Sequence, residues 1–242
     1  MPGIGAVFTL PFKSEGWFGT FAIMGLLALI PIVGQINLLG WQLSTLDNYR
    51  QGRIDLPPAG LSYIGRGANV FVALLVWVLP AIALFIAAYI VLFVVIAAAG
   101  ATSGSSSTAS AAASGGAVVG ILLYYLVIFI VVIYAIAVRV LQPAITIATE
   151  RGGVRGGISP RNVLAIAGHS WSNTLIAALL TYVSGFLGSL GIYACCVGVI
   201  FTIAYSYGVD AGVLRYYEYS LDPQGAPPPT PPPAQPAPYP AP

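Results

Sequence analysis

Few residues in this sequence could do chemistry, and their spacing limits what that chemistry could be. There is one histidine, His169. A lone catalytic base needs a nucleophile and an orienting carboxylate, and neither lies near it in the sequence. The two cysteines, Cys195 and Cys196, are adjacent in an apolar run. A metal site wants more ligands at wider spacing, and a free cysteine packs as a small hydrophobe. Both are read as packing residues, and no metal or cofactor is expected. The HExxH, Walker, GxSxG and CxxC patterns are absent from the sequence, so an enzyme is not the expectation and the question stays open. SGGAVVG sits in a Gly/Ala linker with no strand before it, and is not read as a dinucleotide motif.

The remaining candidates are polar or flexible residues set inside apolar runs. LALIPIVGQINLLG, Leu27 to Gly40, carries Pro31, Gly34, Gln35 and Asn37. Proline removes a backbone donor and clashes with the preceding turn, and glycine permits a sharp bend. The two amides can satisfy freed backbone groups or line a buried pocket. Together these four residues predict a broken span: a kinked helix, or two half-helices meeting at Pro31–Gly34. SGFLGSLG, Ser184 to Gly191, repeats glycine every three residues at Gly185, Gly188 and Gly191. The spacing suits close helix packing through small residues, or a turn between two crossings. Arg139 and Asp210 are the ionisable residues closest to span interiors. An unpaired charge at mid-membrane costs roughly 2.5–3.5 kcal/mol, which makes them a candidate intramembrane ion pair. In the alternative, each meets water or lipid headgroups separately.

Composition says what must hold these residues. The chain is 58% hydrophobic and 7% charged, with mean hydropathy +0.89. A soluble domain is about 25% charged, so this chain cannot clothe a water-facing surface. No Asp, Glu, Lys, Arg or His occurs over Gly16–Leu46, Gly67–Val138 or Ser170–Val209. Uncharged apolar runs of roughly 18 residues or more read as membrane spans. The fold class is therefore all-α: a polytopic transmembrane helix bundle of about four long apolar segments. The first and last of these are broken at Pro or Gly, giving four to six crossings. Asn69 to Ala99 and Val118 to Ala137 are the cleanest spans, with Pro80 expected to kink the former. Ser159–Pro160 reads as an N-cap followed by proline at the first helical position, opening an interfacial helix through about Trp171.

The domain reading is an N-terminal segment, 1–15, and a helical membrane domain, 16–221, followed by a disordered Pro-rich tail, 222–242. Within the domain, GATSGSSSTASAAASGGA, Gly100 to Ala117, is read as a flexible loop and ERGGVRGG, Glu150 to Gly157, as a flexible connector. The N-terminus has no basic region ahead of its first apolar run, so no cleaved signal peptide is expected. The positive-inside rule places the Arg-bearing loops 47–68 and 149–169 in the cytoplasm and loop 100–117 outside. Single crossings at both ends would put both termini outside, and double crossings would put both inside. The two end segments echo each other, a faint sign of internal duplication. The expected partner is the lipid bilayer of a cell membrane. A net charge of +2 with no basic run gives no argument for nucleic acid. Membrane-protein partners and self-association stay open.

The pieces LALIPIVGQINLLGW, NYRQGRIDLPP and RVLQPA resemble an uncharacterised family of prokaryotic multi-pass membrane proteins, a domain of unknown function. The likeness runs over roughly Trp17 to Tyr217. Its pattern is IPIVG, the pair Gly40–Trp41, then an Arg, a Gly and a Leu-Pro. A proline after the Arg139-bearing span follows, and a glycine-broken segment closes it. Here Pro-Ala-Gly follows Leu56–Pro57, where relatives usually carry an acidic and aromatic patch. The resemblance implies a prokaryotic inner or plasma membrane location and no established activity, cofactor or partner. Three functional readings stand: a structural or accessory membrane protein, a transporter or channel component for a small or neutral solute, and a membrane-embedded enzyme. The first is taken as the expectation.

Overall fold

A computed structural model of the chain describes residues 4–101 and 107–222. Among these residues every regular element is helical and there is no strand. The helices are α1 (Trp17–Ala28), α2 (Val33–Arg50), α3 (Ile64–Ala101), α4 (Ser107–Ile158), α5 (Pro160–His169), α6 (Trp171–Leu190) and α7 (Cys195–Leu221). Two 3-10 turns, Ile4–Phe8 and Leu10–Lys13, precede them. Three stretches, Ile64–Ala97, Val118–Ile158 and Trp171–Tyr193, are long and apolar enough to cross a membrane.

The helices pair as three antiparallel hairpins. In the first, α1 stops at Ala28 and α2 starts at Val33. Pro31 lies exposed in the turn between them, and Ile32 takes φ 64°. The expected broken span is thus a tight reversal. Gly34 allows it, since a Cβ there would stand 2.2 Å from the Leu27 carbonyl oxygen. In the second hairpin, α3 meets α4. Tyr134 donates to the Trp77 carbonyl at 2.7 Å, and Tyr89 meets Tyr124 edge-on. In the third, α6 meets α7. Ser184 donates to the Ser206 carbonyl at 2.9 Å and Thr202 to the Gly188 carbonyl at 2.8 Å. A 3-10 turn at Gly191–Ala194 closes this hairpin.

Contacts along α7 set the first hairpin against the third. Gly212 faces Val7, Gly208 faces Pro11, Phe201 stacks on Phe18, and Ile200 backs onto Gly25. The chain from Val7 to Gly25 therefore runs antiparallel to α7. Since α2 reverses again, it runs alongside α7, from Tyr207 opposite Gln35 to Glu218 opposite Arg50. The described chain begins and ends toward the same side of the bundle. Where α2 crosses α3 the backbones nearly touch. A Cβ on Gly40 would lie 2.0 Å from the Tyr63 carbonyl oxygen, and one on Gly67 would lie 1.8 Å from that of Ile36.

Several expectations meet the structure directly. Helix α3 continues through Pro80. The Gly100–Ala117 stretch is helical up to Ala101 and again from Ser107, and residues 102–106 lie outside the described residues. The Glu150–Gly157 connector is largely helical, bent at Gly152 and Gly153. It packs, rather than swinging free, because Trp77 Nε1 donates to the Gly157 carbonyl at 2.9 Å. Ser159 and Pro160 do open α5, without a side-chain cap bond. The expected disordered tail lies outside the described residues beyond Asp222.

Candidate functional site

A cavity of about 610 Å³ opens between α2, α3, α4, α6 and α7. Its polar wall is Gln35 from α2, Arg139 and Gln142 from α4, Thr181 from α6, and Ser206, Tyr207 and Asp210 from α7. Its apolar wall includes Leu39, Phe71, Leu74, Leu75 and Val78. Leu75, Val78 and Arg139 are exposed, so the cavity reaches the bundle surface on the side of α3 and α4.

The positions of these side chains follow from the hairpins. Gln35 enters because the reversal at Pro31–Gly34 starts α2 beside α7, where the Tyr207 hydroxyl donates to Gln35 Oε1 at 3.0 Å. Arg139 reaches across to α6, where its Nη2 would stand 3.8 Å from a Cβ on Gly185, an ordinary contact. The Arg139 guanidinium donates to Gln142 Oε1 at 2.6 Å. Asp210 Oδ1 is shielded and receives no hydrogen bond among the described residues. Arg139 and Asp210 thus share one cavity, without an ion-pair contact between them among the described residues.

The other sequence candidates divide. Gly188 packs against Ser206, and Gly191 sits in the turn against Thr202; the glycine repeat serves helix contact and reversal together. Asn37 lines no part of the cavity. It donates to the Gly60 carbonyl at 2.8 Å, while Trp41 Nε1 donates to the Pro57 carbonyl at 3.2 Å. Asn37 and Trp41 pin the 51–63 loop across α2. His169 is exposed at the end of α5. The side chains of Cys195 and Cys196 lie outside the described residues. Among the described residues no three His, Cys, Asp or Glu side chains gather as a metal site.

Sequence reasoning missed a second site, at the side of the bundle where the described chain begins and ends. Arg50 and Arg66 stand among Asp47, Glu150 and Glu218. Arg50 grips Glu218 with two donors, its Nε at 2.9 Å, and reaches Asp47 at 2.7 Å and Glu150 at 3.2 Å. Arg66 pairs with Glu150 at 3.0 and 2.7 Å and with Asp47. Arg215 lies 3.8 Å from Glu218. Bidentate pairs of this kind are the strong, geometrically specific ones. The cluster ties the ends of α2, α3, α4 and α7 together. A signal existed: each of the three acids lies within three residues of an arginine, at Arg50, Arg151 and Arg215.

The chain matches the family described as protein of unknown function (DUF4013) over residues 23–197, and it belongs to that family. No curated protein and no solved structure shows significant similarity to it.

Proposed function

We propose that this membrane protein takes a small solute into the cavity between its helices, as a transporter or channel component. On this reading the three hairpins turn within the membrane, and the Arg-bearing ends of the described helices and the ion cluster face the cytoplasm, in keeping with the positive-inside rule. The observation that carries the reading is the polar wall: Gln35, Arg139, Gln142 and Asp210 face one space inside a chain that is otherwise 7% charged. Ionisable groups held within a span by default mark a solute or ion path. The cavity's size is in the range of small-molecule sites, about 300–1,000 Å³.

The test is to fill the cavity. Gly185→Leu adds a side chain where only the end of Arg139 is near, and glycine to leucine favours a helix. Proteoliposomes with the wild-type chain should take up a small polar solute that liposomes without protein exclude, and Gly185→Leu should block that uptake. Uptake equal to that of protein-free liposomes, across amino acids and polyols, overturns the reading. A structural or accessory role is supported by a different observation, the ion cluster that binds four helices. On that reading Gly185→Leu leaves cellular function intact, and Arg50→Ala removes it.

A further inference from the structure

We infer that the cavity's ligand is a zwitterion carrying an apolar group, with its anionic end on Arg139 and its ammonium at Asp210. The inference rests on the solute-binding reading above and adds the chemical class. It comes from what each wall leaves unpaired.

On the α4 wall, the Arg139 guanidinium has five N–H donors and spends one on Gln142. Because that bond takes Gln142 Oε1, the Gln142 amide keeps its own N–H donors. Gln35 is arranged the same way: its Oε1 receives the Tyr207 hydroxyl, so its N–H donors are also free. The Arg139 guanidinium and the free amide donors of Gln142 give the α4 wall donors and a positive charge, which suits a carboxylate or phosphate. On the α7 wall, the Asp210 carboxyl has the Ser184 hydroxyl beside it, and its buried Oδ1 receives no hydrogen bond among the described residues. A buried polar atom in that state costs free energy until something pairs with it. An ammonium supplies the N–H donors and the opposite charge.

Other ligand classes leave a mismatch. A plain anion satisfies Arg139 and meets Asp210 with like charge. A plain cation does the reverse. An apolar molecule pairs with neither, and leaves the buried Asp210 oxygen without a donor. A zwitterion pairs both and adds no net charge. Phe71, Leu74 and Val78 give its apolar group a place.

Two sources share this chemistry: a free amino acid with an apolar side chain, and the head of an aminophospholipid. The purified full chain in detergent should be melted with leucine, with leucinamide and with 4-methylvalerate. The three share an apolar body and differ in charge. In parallel it should be melted in nanodiscs of phosphatidylglycerol with and without phosphatidylethanolamine. Leucine, or phosphatidylethanolamine in the lipid case, should raise the melting temperature, while the cation and the anion should not. Arg139→Gln and Asp210→Asn should each weaken the effective ligand by about tenfold or more. Should either variant fail to fold, Gly185→Leu gives the same readout by filling the site. Leucinamide or 4-methylvalerate binding as tightly as leucine overturns the zwitterion and keeps the cavity as a solute site. If no ligand of any class separates wild type from Gly185→Leu, both readings fall.

Discussion

The α3–α4 hairpin and the bundle of α1, α2, α6 and α7 solve opposite problems. In α3 and α4 the most apolar 18-residue windows are only 6% buried. Phe93 is 75% exposed, and Leu122, Tyr125 and Phe129 are above 60%. Helix α2 is far less apolar, with Gln35, Asn37, Gln42 and Thr45 along it, yet Leu38, Trp41, Leu43 and Leu46 are at or below 1% exposed. Lipid tails are as apolar as leucine, so apolar side chains do little to draw membrane helices together. Close backbone approach and polar pairing do that instead. The hairpin faces lipid because it is apolar. The bundle stays together through Gly25 against Ile200, the Ser184 and Thr202 bonds between α6 and α7, and the Gln35–Tyr207 and Arg50–Glu218 pairs between α2 and α7.

The largest break in this contrast should come from the ion cluster. Arg50→Ala leaves Asp47, Glu150 and Glu218 sharing Arg66 and the more distant Arg215. Removing one partner of a buried pair costs about 3–5 kcal/mol. The Arg50 side chain is 24% exposed and that of Glu218 13%, so the low end of that range is expected. Denaturant or thermal unfolding in detergent should show the loss. An unchanged midpoint would mean that the bundle does not depend on its charged end.

A smaller effect is expected at the α2–α3 crossing. Gly67→Ala puts a methyl group into the Ile36 carbonyl, and overpacking of this kind costs typically 1–3 kcal/mol. Gly65, two residues earlier on the same helix, has nothing within 4 Å of a Cβ. Gly65→Ala should therefore gain stability, by roughly 0.5–1 kcal/mol from helix preference alone. If the two variants melt alike, the crossing is looser than its backbone contacts imply.

The same contrast explains what could be read in the sequence. Hydropathy and the absence of charge found the apolar segments, and proline with glycine marked a break near Pro31 without saying that the chain reverses there. Those signals are local. The pairing of Arg50 with Glu218, far apart along the chain, is set by the antiparallel course of three hairpins, and no local pattern encodes it. The placement of Gln35 in the cavity and Asn37 outside it was equally hidden. Two residues apart on a helix, they point in different directions, and only the neighbours of each decide what it meets. The bend at Gly152–Gly153 was legible as flexibility. The packing of Gly157 under Trp77 was not, because its partner lies 80 residues away on the facing helix.

The smallest effect should come from the lipid face, and it sharpens the comparison most directly. Phe93 on α3 and Phe21 on α1 are the same residue type in opposite settings. Phe21 is 1% exposed and meets Trp17, Trp41 and Tyr205 edge-on. Edge-to-face aromatic pairs add about 0.5–1.5 kcal/mol beyond area burial. Phe21→Leu forfeits those contacts and leaves space that the tight reversal of α1 into α2 cannot easily close, so a loss of about 1–2 kcal/mol is expected. Phe93→Leu replaces one lipid-facing apolar side chain with another. No helix contact is lost, and the change should stay within about 0.5 kcal/mol, as for surface substitutions generally. Unfolding of the two variants in the same detergent decides the matter. Equal and large losses would show that a partner, another protein or a second copy, covers α3 at Phe93. Equal and negligible losses would show that the aromatic cluster around Phe21 contributes little to holding α1 on α7.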